Sequence, residues 1–163
     1  MLRYNLIAGS LFGLTAVLVG LVFEPSVKAK LDDELVAKAV EIPEQRDEDG
    51  NVLAPKKLVI SDLDRDYSEQ RWQHYELGVR NLTYASFAML ALGLIPAASG
   101  RNRLVSRISG GAFTAGVIFY CFGLASSAVF DQPLLAIFSG LGALCLAAGW
   151  AGLTGLACIS TRE

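Results

Sequence analysis

The chain has 163 residues, of which 53% are hydrophobic and 18% charged, with a mean hydropathy of +0.43. Soluble globular domains run at about 45–50% apolar and about 25% charged, so the balance points away from a water-soluble globule. Fourteen basic against sixteen acidic side chains leave a formal charge of -2, which supplies no field to hold nucleic acid. Three separate cysteines and the single histidine, His74, rule out zinc-finger, CxxCH and multi-histidine haem sites on ligand count.

Four stretches contain no Asp, Glu, Lys, Arg or His: Leu6 to Phe23, Leu82 to Ala98, Ile108 to Phe130 and Leu134 to Ile159. Each is 17 to 26 residues long, about what a helix needs to cross a bilayer. Strands at that depth would have to close into a barrel, and no alternation of period two is visible. The expected fold is therefore an all-α polytopic membrane protein with four transmembrane helices and one extramembrane loop domain.

The first span, residues 1–23, begins with a short Arg3-bearing segment, and Val27-Lys28-Ala29 resembles a cleavage site. Its apolar run of 18 residues exceeds the roughly 7–15 of a signal peptide, which favours a retained signal anchor. Gly9 and Gly13 form a GxxxG pair suited to close helix contact.

Residues 24–81 hold 14 acidic and 9 basic side chains, a net of -5. From Pro25 or Ser26 a short amphipathic helix is expected, with Leu31, Leu35, Val36 and Ala39 on one side, lying near the membrane surface. Glu44 to Lys57 reads as a small hairpin or an irregular loop, with a turn signal at Asp49-Gly50-Asn51. Asp47, Asp49 and Asn51 do not make a calcium loop, because Gly50 falls at the fourth place and not the sixth. Capping residues between Ser61 and Asp66 precede a helix in which Tyr67, Trp72, His74 and Tyr75 form an interfacial belt leading into the second span. A lone histidine lacks the partners a metal ligand needs, so packing is its expected role. With few apolar residues of its own, the acidic segment is expected to be a recognition surface.

Residues 82–163 hold the remaining three spans. Ser99 to Arg107 is expected as a short loop between the second and third, and Asp131-Gln132-Pro133 forces the third and fourth into an antiparallel hairpin. Gly111/Ala115 and Ala148/Gly152 have the small-xxx-small spacing of helix contacts. None of the spans carries an ionisable residue of the kind pumps and ion-coupled transporters hold in the membrane. Their polar groups are mainly hydroxyls, among them Thr83, Tyr84, Thr114, Tyr120, Ser127 and Thr154. Neither catalytic residues nor a cofactor or metal site are expected.

Asn5 to Gly20, then Tyr75-Glu-Leu-Gly-Val-Arg-Asn81 leading to Tyr84 and Met89 to Gly93, then Leu146-Ala-Ala-Gly-Trp150, resemble the small four-span proteins grouped with transmembrane protein 256. The resemblance follows all four spans in order and leaves out most of the polar segment. It implies a helical bundle with no established chemistry. Where that family carries a Gly-Ala-Phe-Gly-Ala-His-like stretch and a histidine after the second-span tyrosine, this chain has Leu21-Val22-Phe23-Glu24 and Ala85. The expected function is that of a non-catalytic structural or accessory subunit whose partners are the lipid bilayer and other membrane proteins. A transporter or channel for a small uncharged solute, lined by the hydroxyls, is the alternative. Arg3, Arg101, Arg103 and Arg107 place the termini on the cytoplasmic side, of a bacterial inner membrane, with residues 24–81 outside.

Overall fold

The computed structural model describes residues 2–46, 52–95 and 100–160. It is all-α apart from one small ribbon, and four helices are long and apolar enough to cross a membrane: Arg3–Ala37, Asp62–Leu94, Asn102–Phe130 and Ser139–Ile159.

The first of these is three segments without a break: α1 (Leu2–Leu18), a π-helical stretch (Val19–Phe23) and α2 (Glu24–Ala37). The amphipathic stretch expected at the membrane surface is thus a direct continuation of the first span. Pro25 marks the junction without ending the helix, since proline is tolerated in a first helical turn and the wider π turn before it relieves the clash with the preceding carbonyls. Val27 and Leu31 of α2 then bury against Tyr75 and Ala128, which holds α2 upright beside the second helix.

Between α2 and α3 (Asp62–Leu94) runs a two-part antiparallel ribbon. β1 (Val40–Ile42) pairs with β4 (Lys57–Val59), and β2 (Gln45–Arg46) pairs with β3 (Val52–Ala54). Of the two expected alternatives the hairpin is the one formed. Pro43 and Pro55 fall in the gap between the two ladders, where a residue with no N–H costs no cross-strand bond. Asp47, Asp49, Gly50 and Asn51, which carry the expected turn, lie outside the described residues. Glu41 and Lys56 form an ion pair across the ribbon, and Lys38 reaches Asp64 at 3.3 Å. Residues 24–37 and 62–81 continue the spans as helix, so among the described residues the non-helical part of the 24–81 segment is the ribbon and its joints.

The third helix also has three segments: α4 (Gly100–Gly116), a π stretch (Val117–Phe122) and α5 (Gly123–Phe130). Ser99 to Arg107 was expected as a loop, yet from Gly100 it is helical. Nothing after Pro96 breaks a helix, and every fourth residue or so, Asn102, Ser106 and Ser109, is buried while Arg103 and Arg107 face out. Asp131 ends α5 in the left-handed conformation, at φ 54°. Pro133 then opens α6 (Pro133–Ile137), and Phe138 separates it from α7 (Ser139–Ser160). The fourth apolar run therefore enters as a short separate helix before the span proper.

The helices form an open array. α1 packs along α3, α3 packs on α5 and the π stretch before it, and α4 packs along α7, while α3 and α7 scarcely meet. Met89, Leu92, Phe113, Val117 and Leu156 are sealed in the centre. The first and fourth helices are the edges.

Candidate functional site

The hairpin end of the array is tied together by cations at a helix C-terminus. The last carbonyls of an α-helix have no partner within it, and Ala128 and Val129 belong to the last turn of α5. Arg71 of α3, almost wholly buried, donates to the Ala128 carbonyl from Nε at 3.0 Å and from Nη2 at 2.7 Å. Its Nη1 donates to Glu34 Oε2 of α2 at 2.6 Å. Lys30 Nζ donates to the Val129 carbonyl at 2.6 Å, and the Tyr67 hydroxyl donates to Asp131. Positive charge there also complements the negative end of the helix dipole. This clamp joins α2, α3 and α5.

Arg71 carried no role in the sequence reading. The signal was available: it shares one helical face with Tyr75, Gly78 and Leu82, all buried, and an arginine on such a face must find acceptors.

The four aromatic positions do not form a uniform belt. Tyr67 is exposed and serves the clamp through Asp131, and Trp72 stacks on Tyr75 with centroids 5.7 Å apart beneath the ammonium of Lys28 at 5.6 Å. His74 is half-buried and joins none of these contacts. Tyr75 is buried, and its hydroxyl donates to the carbonyl of Val19, the first residue of the π stretch, at 2.7 Å. Tyr75→Phe should therefore cost about 1 kcal/mol, the worth of one neutral hydrogen bond. Denaturant unfolding in detergent measures it, and an unchanged midpoint would separate that bond from stability.

The small residues divide by face. Gly9 lies where a Cβ would come within 3.0 Å of the Leu90 nitrogen and the Ser86 carbonyl, and Gly13 lies 3.4 Å from Ser86 Oγ on the same measure, so this pair seats α1 on α3. Gly152 meets the hydroxyl of Ser109. By contrast Gly111 has nothing within 4 Å, Ala115 is half-buried and Ala148 is exposed. The adjacent glycines make the contact instead, Gly116 against Leu146 and Gly149 against Phe113 between α4 and α7, while Gly142 of α7 meets the backbone at Tyr120 in the π stretch. One position along a helix is a rotation of about 100°, enough to carry a glycine off the contact ridge.

Most hydroxyls in the spans bond to their own helix. Thr83 donates to the Val79 carbonyl, Ser86 to Thr83, Thr114 to Gly110, Ser127 to Leu124 and Thr154 to Trp150. Asn5 is an exception, buried over Gly110 and donating to Ser106 Oγ at 3.3 Å between the first and third helices.

Two grooves flank the second π stretch. One, about 200 Å³, is apolar and runs between the first three helices past Val19, Val79, Cys121 and Phe122. The other, about 230 Å³, opens where α3 and α7 stay apart, and is lined by Asn81, Tyr84, Tyr120, Leu146 and Trp150. Among the described residues, no group of three or more His, Cys, Asp or Glu could hold a metal ion. No protein-family model, curated protein or solved structure matches the chain, so the resemblance to the transmembrane protein 256 group rests on the motifs quoted above.

Proposed function

We propose that this chain is a non-catalytic integral membrane protein acting as a structural or accessory subunit of a larger membrane complex, with other membrane-protein subunits as its partners. The observation that carries this reading is the outer face of α7. Ala147, Ala151 and Gly155 follow at i, i+4 and i+8; both alanines are exposed, and a Cβ on Gly155 would meet nothing within 4 Å. α7 exposes Leu141 and Leu144 ahead of this stripe, whereas the other edge helix turns out bulky residues along its length, with Ile7, Leu11, Leu14, Val17 and Leu21 exposed. Small residues in a bilayer favour backbone approach by another helix, whereas bulky ones suit lipid. The back-bonded hydroxyls of the spans weigh against a polar solute route.

Extraction in a mild detergent tests the proposal: a larger membrane protein should co-purify in fixed stoichiometry, and a chain that always emerges alone would overturn it. The same reading places the protein in a bacterial inner membrane with the termini cytoplasmic and the ribbon outside, because Arg3, Arg101, Arg103 and Arg107 collect at the end opposite the ribbon. A cysteine at Lys57 should then react with an impermeant maleimide in spheroplasts. Reaction only after lysis would reverse the orientation.

A further inference from the structure

The groove between α3 and α7 combines apolar walls with polar groups that the fold does not satisfy. Tyr84, Tyr120 and Trp150 line it, Tyr84 and Trp150 about half exposed at its mouth. Among the described residues, neither hydroxyl nor the indole N–H has a hydrogen-bond partner in the protein.

Their depth makes this unusual. Tyr120 stands twelve residues from Ile108 and ten from Phe130, the ends of its charge-free run, or about 18 Å and 15 Å along the helix. Tyr84 is eleven residues, about 16 Å, from Ile95 at the end of α3 and only two from Leu82, where its own charge-free run begins, but its neighbour Ser86 packs against Gly13, near the middle of the first run. Tyrosine and tryptophan ordinarily sit at the membrane boundary, where the polar tip reaches water. In hydrocarbon a donor without a partner is costly, so these donors ask for an acceptor that itself resides near the middle of the bilayer. Tyr120 also belongs to the π stretch Val117–Phe122, an irregularity common at functional sites.

We propose that this groove binds the ring of a lipid-soluble quinone, whose carbonyl oxygens accept hydrogen bonds from Tyr84, Tyr120 and Trp150. The ligand must be neutral, since no charged side chain lines the groove, and it must carry acceptors on an apolar body. Glycerolipids also bring carbonyls, but their ester groups stay at the bilayer surface with the headgroup. At about 230 Å³ the space exceeds the roughly 150 Å³ that admits benzene and suits one substituted ring, with the tail left in the bilayer.

The chain has two tryptophans, so Trp72→Phe leaves Trp150 as the only indole in the protein, inside the groove. In phosphatidylcholine nanodiscs, a decyl-tailed benzoquinone should quench its fluorescence along a saturating curve. Tyr84→Phe with Tyr120→Phe should raise the half-saturating quinone fraction about tenfold, the loss of two neutral hydrogen bonds. Ala143 also lines the groove, so Ala143→Leu, which fills it and keeps both hydroxyls, should abolish saturation. Diacylglycerol should leave the curve unchanged. Quenching that rises linearly with quinone, or is the same in the double phenylalanine protein, would overturn the proposal, and displacement by diacylglycerol would overturn the choice of a quinone.

Discussion

Arg71→Met should destabilise the folded protein by about 2–3 kcal/mol, the range for hydrogen bonds made by a buried charged group. Methionine keeps an unbranched apolar stem but removes both donors to the Ala128 carbonyl, leaving Lys30 on Val129 as the remaining side-chain donor described at the C-terminus of α5, and Glu34 without its guanidinium. The ion-pair part is the smaller share, because the Glu34 side chain is 39% exposed and solvent screens it. Glu34→Gln should accordingly cost less than about 1 kcal/mol. Arg71→Lys should recover under half of the loss, since an ammonium cannot place two donors on one carbonyl and a third on a carboxylate from the same fork. Reversible unfolding in detergent separates these cases. An Arg71→Met protein as stable as the parent would mean that the clamp merely decorates the helix ends.

A comparable loss is expected from Gly142→Leu. A Cβ at Gly142 would meet the backbone nitrogen of Tyr120, its Cβ at 2.7 Å and the carbonyl carbon of Phe119 at 2.8 Å. Main chain cannot rotate aside, so α7 must withdraw from the third helix, at a cost at or above the upper end of the roughly 1–3 kcal/mol usual for overpacking. Gly152→Leu should cost less, because the atom in its way is the Ser109 hydroxyl, which can turn. Gly111→Leu, in open space, should leave stability within about 0.5 kcal/mol of the parent. An unfolding series in one detergent checks the order, and equal losses at Gly111 and Gly142 would refute the packing described for α4 and α7.

The span count was legible because hydrocarbon tolerates neither charge nor unsatisfied backbone, so four charge-free runs leave a direct trace in the sequence. The boundaries were less so. Pro25 reads as the start of a separate short helix, yet the π stretch before it carries the first span straight through, and no local pattern in Val19-Gly-Leu-Val-Phe23 announces a π turn. Ser99 to Arg107 reads as a loop because of its charges, although arginines facing out on an amphipathic helix are equally polar. For the contact glycines, spacing recovers the period but not the phase. Gly111/Ala115 has the right interval one position away from the Gly110 and Gly116 that touch neighbours, and the phase is set by which helix lies opposite. Tyr84 and Tyr120 could be read as hydroxyls in spans, whereas their meeting with Trp150 depends on α3 and α7 standing apart, a property of the array and not of any one helix.

Site-specific photo-cross-linking in native membranes tests the subunit role most directly, with the reactive group placed at Ala151 on the outer face of α7 and, in a second protein, at Leu11 on the outer face of α1. The expected result is one discrete adduct of a different membrane protein from Ala151, formed in fixed proportion and lost with Gly155→Leu, and only lipid adducts from Leu11. Lipid adducts alone from both positions would contradict it.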